Sequence, residues 1–435
     1  MTQPPASFAN RSGIEAGQLG KLRALLTALV PSNRFYSAKL RAAGINVNLA
    51  SLAQFCEQTP FTLKQEVIDD QRDHPPYGSN LTYPLVEYTR FSQTSGTTGR
   101  PMRWLDTPES WDWMLSNWTQ VLRAAGVTAA DHIFFAFSFG PFLGFWTAFE
   151  AAARLGAMCI PSGGMRSAAR LHTMMDTGAR VLCCTPTYAI RLAEVAREEN
   201  IDLLSAQIRT IIVSGEAGGS ILGTRAHIEK LWHGARVVDH HGMTEIGPVS
   251  YGCSARPGVL HVIESAFFAE IIDPEASKAV ASGGTGELVL TNLGRLGSPL
   301  LRYRTGDLVK PAADSPCACG SYELALDGGI LGRTDDMVTV RGVNVYPSAV
   351  EDIMRACGVA EYRVEIRTQR ALTELSIQVE SPPGNEGGTG LAQHLEVALS
   401  NALALRIPVT SVPRGELPRF EMKAQRWTRA TEPRP

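Results

Sequence analysis

The sequence predicts an α/β protein in two parts: a large N-terminal domain over residues 1–334, combining parallel α/β sheet layers with an antiparallel β subdomain, and a small C-terminal α+β domain over residues 335–435. Three observations lead there. The chain has 435 residues, more than the roughly 250 at which a single hydrophobic core stops growing. Between Asp131 and Asp239, short β-branched or aromatic runs alternate with helix-length segments, the rhythm of parallel strands joined by crossover helices. After Gly242 strand-like runs with Gly and Pro turns take over, and a fresh series of strands and helices fills the C-terminal part.

Taken in order, residues 19–30 read as a helix behind a polar lead-in. Strands are expected at 132–137, 179–184, 210–213 and 236–238. The apolar stretch 133–149 is broken by Gly140, Pro141 and Gly144, so it reads as strand, turn and helix. It falls short of the roughly 20 residues that a membrane span requires. Strands at 268–272, 286–291 and 300–303 form the antiparallel part. The C-terminal part reads as a strand at 337–340, a helix at 348–356 opened by Pro347, strands at 362–366 and 374–379, and a helix at 391–405. Residues 381–390, rich in Gly and Pro, read as a loop.

Composition narrows the function classes. Apolar residues are 44%, charged residues 19%, and 40 Gly and 26 Pro punctuate a globular chain. The net charge of -2 and the lack of a basic run give no electrostatic footprint for nucleic acid or an anionic membrane, so small molecules are the expected partners. Residues 1–17 lack the apolar core of a secretory signal, and a cytoplasmic location is expected. Eight irregularly spaced Cys make no disulfide framework.

The first chemical signal is Thr94-Ser95-Gly96-Thr97-Thr98-Gly99-Arg100-Pro101, after a strand-like run. Hydroxyls and glycine backbone N–H groups can wrap phosphate oxygens, although the spacing is neither a P-loop nor a dinucleotide fingerprint. Alone, the segment could be a flexible linker. It is followed by His241-Gly242-Met243-Thr244-Glu245, Tyr303-Arg304-Thr305-Gly306-Asp307, Gly332-Arg333-Thr334-Asp335-Asp336, Arg341-Gly342-Val343-Asn344-Val345-Tyr346-Pro347 and Leu417-Pro418-Arg419-Phe420-Glu421-Met422-Lys423. In this order the segments resemble the core motifs of the superfamily of acyl-CoA ligases, luciferases and peptide-synthetase adenylation domains. The short N-terminal region, Asn344-Val345-Tyr346-Pro347 and the Leu417–Glu421 ending are similar to the phenylacetate-CoA ligase branch.

The resemblance implies an enzyme that uses ATP and Mg²⁺ to convert a carboxylic acid to an acyl-AMP with release of pyrophosphate, then passes the acyl group to CoA. A carboxylate attacking a phosphate needs charge neutralised at the phosphates. Lys423, Thr244 and Glu245 are the implied catalytic residues, with Glu245 holding Mg²⁺ and Thr244 donating to the α-phosphate. After Lys310, Lys423 is the only lysine in the chain, and a compact ammonium suits that position. The nucleotide contacts fall on 94–99, on Gly215-Glu216-Ala217, on His241, Gly242 and Met243, on Asp307 for the ribose hydroxyls, and on Arg333. His241 stands where the family usually has Tyr, Met422 where Gly often precedes the lysine, and Met102 where many ligases carry a second lysine. Asp335 occupies the hinge about which a mobile C-terminal domain would turn, presenting Arg341 and Gly342 to a thiol tunnel.

The family's acid pocket maps to Phe137, Phe139, Phe142, Phe145 and Trp146, with Gly163, Gly164, Ser214, His240 and Pro248 around it. An aromatic lining favours a flat ring, hence a benzoate-like or arylacetate-like acid, with room for hydroxyl or amino substituents. An aromatic stripe is more often plain core than pocket. Cys253, His261, Cys317 and Cys319 make a candidate structural Zn²⁺ set, since Cys317-Ala318-Cys319-Gly320 can aim two thiolates at one point; the alternative is surface thiols and an unrelated His. Two other functions compete: hand-over of the adenylate to a carrier protein or an amine, and a catalytically silent nucleotide-binding regulator. The oligomeric state is open, a homodimer being one option.

Overall fold

The computed structural model describes residues 10–45, 47–94, 101–281, 283–313, 315–341, 343–369, 372–382, 389–420 and 423–430. At its centre is a five-stranded, all-parallel sheet in the order Met158–Pro161, His132–Phe135, Val181–Cys184, Thr210–Val213 and Arg236–Asp239. Side chains of a strand alternate between faces. Here both faces are buried: Ile133, Phe135, Val181, Cys183, Ile212 and Val238 enter one hydrophobic core, while Phe134, Leu182, Cys184, Ile211, Val213 and Val237 enter another. That explains why the strands read as near-continuous apolar runs.

The crossover helices have local causes. Leu143–Leu155 ends on Gly156 in the left-handed conformation (φ 93°), and Pro186–Glu198 opens with Pro at its first position and Thr185 capping Tyr188 N. An antiparallel sheet follows in the order Phe267–Ile272, Gly286–Asn292, Tyr303–Val309 and Gly332–Arg333, and a smaller one pairs Ser250–Gly252, Val259–Val262 and Ala325–Asp327. The strand expected at 300–303 begins only at Tyr303 and runs to Val309. Asp307 therefore lies within a strand rather than in a turn beyond one.

At the N terminus Arg11–Ser32 is longer than predicted, and three further helices, Arg34–Ala42, Leu52–Gln58 and Lys64–Asp73, were not anticipated. Leu22, Leu25, Leu26, Tyr36 and Phe55 pack on Phe268, Leu293 and Leu301 of the antiparallel region. The C-terminal part holds the hairpin Val338–Val340 with Val343–Val345, the helices Pro347–Ala356 and Thr389–Leu403, and a four-stranded sheet in the order Val409–Val412, Leu372–Glu380, Glu361–Gln369 and Trp427–Arg429. It has its own core around Val345, Met354, Val364, Ile377 and Leu395. No helix among the described residues is long and apolar enough to cross a membrane.

Candidate active site

The candidate residues converge at the C-terminal edge of the parallel sheet. Thr210–Val213 runs into Ser214-Gly215-Glu216, and Arg236–Asp239 runs into His240-His241. A small hairpin then pairs Gly242–Met243 with Gly247–Pro248, leaving Thr244 and Glu245 in its turn. A Cβ on Gly242 would lie 3.0 Å from Gly247 O and 3.2 Å from both His240 Nε2 and Pro248 Cα, so a side chain here would press on the backbone of the hairpin.

Asp307 is paired in register with Arg333 across neighbouring strands. Its buried carboxylate accepts from Arg333 Nη1 at 2.8 Å, and its other oxygen lies 2.9 Å from His241 Nε2. Arg333 also holds Asp335 through Nε at 2.8 Å and Nη2 at 3.0 Å. Burial alone would lower the Arg333 guanidinium, but the hydrogen bond to Asp335 and the charges of Asp307, Asp335 and Asp336 raise it. It stays a cation. His241 is thus engaged edge-on with the carboxylate, an interaction that the Tyr-to-His difference alone did not announce.

Lys423 comes from the far end of the chain to the same place. Its Cε lies 3.7 Å from where a Cβ on Gly215 would sit, and Gly215 has a φ of 94°. Glu216 anchors this approach: Oε1 accepts from Thr187 N at 2.8 Å, at the start of a helix, and Oε2 from Ala424 N at 2.9 Å. Glu245 is buried, and its carboxylate has no hydrogen-bond or ion-pair partner among the described residues. Such an oxygen pair suits a hard divalent cation.

Of the predicted phosphate cradle, Thr94 is described, its Oγ1 accepting from Met102 N at 3.0 Å. Ser95, Gly96, Thr97, Thr98 and Gly99 lie outside the described residues, as does Gly342. Gln93 N donates to Pro141 O at 2.8 Å, tying the strand that enters the cradle to the aromatic segment. Arg341 has a φ of 51°, is exposed and pairs with Glu374 at 2.8 Å.

In that aromatic segment Phe137 stacks on Phe145 (centroids 4.1 Å apart, 13°), with Phe142 edge-on to Phe145 at 5.9 Å. Phe139, at a φ of 53°, meets Trp146 at 5.2 Å, while Trp146 is 40% exposed and donates to Gly140 O. A Cβ on Gly163 would sit 3.5 Å from Phe139, whereas Gly164 has open space. His240 is buried, lies 2.6 Å from Ser250 O through Nδ1 and packs at 4.1 Å on Trp118, which sequence reasoning missed. Burial pushes its imidazole down to about 3, so it is neutral.

Cys253, His261, Cys317 and Cys319 come together, their ligand atoms all within 4.8 Å of one another. Cys253 Sγ to Cys317 Sγ is 3.7 Å and Cys319 Sγ to His261 Nε2 is 3.4 Å. Tetrahedral Zn²⁺ with ordinary bond lengths requires about 3.7 Å between sulfurs and about 3.5 Å between sulfur and nitrogen. The donor set fits that ion, and Cys317 and His261 are buried rather than superficial.

Comparison with known proteins identifies the family. Residues 92–294 match the AMP-binding enzyme family and residues 342–429 the AMP-binding enzyme C-terminal domain. A phenylacetate-coenzyme A ligase of Thermus thermophilus is 30% identical over 97% of this chain and 97% of its own length. A solved 2-hydroxyisobutyryl-CoA ligase in its postadenylation state, complexed with R3-HIB-AMP, superposes with a TM-score of 0.92 at 28% identity, covering 99% of this chain and 94% of that one. The same ligase with 2-HIB-AMP and CoA in the thioesterification state gives 0.73, at 28% identity and the same coverages. The two parts of the present chain are therefore arranged more nearly as in that postadenylation structure, with Lys423 beside Gly215. With its fold, its motif geometry and its near full-length similarity taken together, the chain belongs to the phenylacetate-coenzyme A ligase family and is an AMP-forming acid–CoA ligase.

Proposed function

We propose that the enzyme activates an aromatic acid, arylacetate-like or benzoate-like and open to hydroxyl or amino substitution, to an aryl-AMP and transfers the aryl acyl group to CoA. The observation that carries the aromatic assignment is the stacked and edge-on set Phe137, Phe142 and Phe145 on the segment hydrogen-bonded to the cradle strand. Flat rings pack favourably in such geometry. Neutral His240 adds a polar group without a charge that would have to be matched.

In this reading the acid oxygen attacks the α-phosphorus while the bond from that phosphorus to the pyrophosphate oxygen breaks. Lys423 and the Thr244 hydroxyl offset the charge gathering on the phosphoryl oxygens. Asp307 accepts the ribose hydroxyls, Arg333 and His241 hold its carboxylate, and Gly215, Glu216, Ala217, Gly242 and Met243 flank the base, with residues 94–99 around the phosphates. Glu245 would hold Mg²⁺, which neutralises phosphate charge when bound. Residues 1–334 and 335–435 would then act as two bodies turning at Asp335, bringing Arg341 and Gly342 to the thiol. The Cys253, His261, Cys317 and Cys319 set would hold a structural Zn²⁺.

The test is ATP–pyrophosphate exchange over a panel of phenylacetates, benzoates and 2-hydroxyisobutyrate, followed by thioester formation with CoA. Aryl acids should give the highest kcat/KM. Exchange supported by 2-hydroxyisobutyrate and by no aryl acid would overturn the aromatic assignment while leaving the ligase chemistry intact.

A further inference from the structure

A buried ion pair stands directly behind the catalytic turn. Asp106 ends the strand Arg103–Asp106, Arg295 follows the strand Gly286–Asn292, and both side chains are 0% exposed. Arg295 Nε and Nη2 donate to the two Asp106 oxygens at 2.6 and 2.7 Å, and its guanidinium lies 5.3 Å from the ring centroid of Trp104. Nη1 reaches the other way, to the carbonyl oxygens of Thr244 at 2.7 Å and Glu245 at 2.9 Å. These bonds occupy four of the five donors a guanidinium offers.

Burying an ion pair is a poor route to stability, because desolvation offsets the attraction. The outward half of the fork explains its place. The Thr244 and Glu245 carbonyls belong to the two planar peptide units on either side of the Glu245 Cα. Holding both planes fixes φ and ψ of Glu245, and with them the direction of its Cα–Cβ bond. Only side-chain rotation is left free. The bonds are charge-assisted, and the planar fork pre-sets the spacing of its donors.

We infer that Arg295, anchored by Asp106, is the positioning residue for Glu245 and so sets how the divalent ion is held on ATP. This rests on the proposed role of Glu245. Neither residue reaches the substrate, and both act through the backbone of the turn. A lysine at 295 would carry the charge without the fork, and an asparagine at 106 would turn an N–H₂ toward a guanidinium that needs acceptors.

The experiment compares Arg295→Lys, Asp106→Asn and the charge-free pair Arg295→Met with Asp106→Leu, the pair covering the case in which a single uncompensated charge unfolds the chain. Exchange rate is measured against Mg²⁺ concentration, with thioester formation from supplied acyl-AMP and thermal melting alongside. Supporting groups around a metal residue typically contribute about 10- to 100-fold. The half-saturating Mg²⁺ should rise and exchange should fall by about that factor, with the thioester step within about twofold of wild type. Folded variants with wild-type Mg²⁺ dependence would overturn the inference. Parallel losses in both half-reactions that track the melting temperature would assign the pair a merely structural role and overturn it equally. Glu245→Gln is the control: if it leaves the Mg²⁺ requirement unchanged, the reading of Glu245 itself fails, whatever the Arg295 variants do.

Discussion

Replacing Gly223 with Ala should slow adenylate formation and spare thioester formation. Gly223 lies in the first turn of the helix Leu222–Leu231, whose N-cap residue supplies no side-chain hydrogen bond. The cap comes instead from the C-terminal part, where Asp352 Oδ1 accepts from Gly223 N at 2.9 Å. A methyl built on Gly223 would lie 2.8 Å from that oxygen, 2.9 Å from the Asp352 carbonyl oxygen and 3.3 Å from Ala356 N. Two of these are backbone atoms of the helix Pro347–Ala356, so no side-chain rotation relieves the contact. The residue is helical, and Ala would favour the helix itself by about 1 kcal/mol. Overpacking costs about 1–3 kcal/mol, and here it falls only on the arrangement in which these helices touch. At about 1.4 kcal/mol per tenfold, that arrangement loses about 5- to 150-fold against the proposed rotated one. ATP–pyrophosphate exchange should drop accordingly, while the rate from supplied acyl-AMP holds or rises. Wild-type exchange, or equal loss in both halves, would refute the reasoning.

Other expectations use the same assays. Lys423→Ala should reduce exchange by about 10² to 10³, the effect of one lost charge-stabilising donor, while thioester formation survives; Asp335→Pro, which fixes φ at the proposed hinge, should spare exchange at saturating ATP and block transfer. Metal analysis of protein purified without chelator should find about one zinc per chain, lost in Cys317→Ser with Cys319→Ser. His240 gives a pH signature. The unfolded chain takes up a proton near the ordinary value of 6.5, which the buried imidazole refuses until about 3, so stability falls as pH drops below 6.5 and the loss levels off near 3. Thermal melts of His240→Gln should show a shallower acid limb between about pH 6.5 and pH 5.

Much of this was legible in the chain. β-branched runs located the parallel strands because burial on both faces leaves little room for polar residues, and Thr210–Val213 was placed to the residue. Motif residues far apart in sequence, such as His241 and Asp307, were grouped through resemblance; packing brings these two within 2.9 Å, while strand register sets Asp307 beside Arg333. Three N-terminal helices were missed, although Asn33 before Arg34 and Ser51 before Leu52 are N-cap signals that could have found two of them. Asp106 with Arg295, 189 positions apart, and Asp352 with Gly223, 129 apart, left no local trace. Such pairs are set by how elements pack, and an isolated aspartate or glycine carries no pattern that announces its partner. Trp118 beneath His240 belongs to the same class.

Arg333 joins two places that the chain keeps separate. One guanidinium holds the carboxylate proposed for the ribose and the carboxylate proposed for the hinge. Whatever free energy links them must act in both directions by the same amount. A change that loosens Asp335 therefore alters how firmly Asp307 is held, and a nucleotide drawing on Asp307 alters the bias at Asp335. Hinge substitutions in this chain should accordingly appear in ATP affinity as well as in transfer to the thiol, and isotherms for ATP would register the coupling before any turnover takes place.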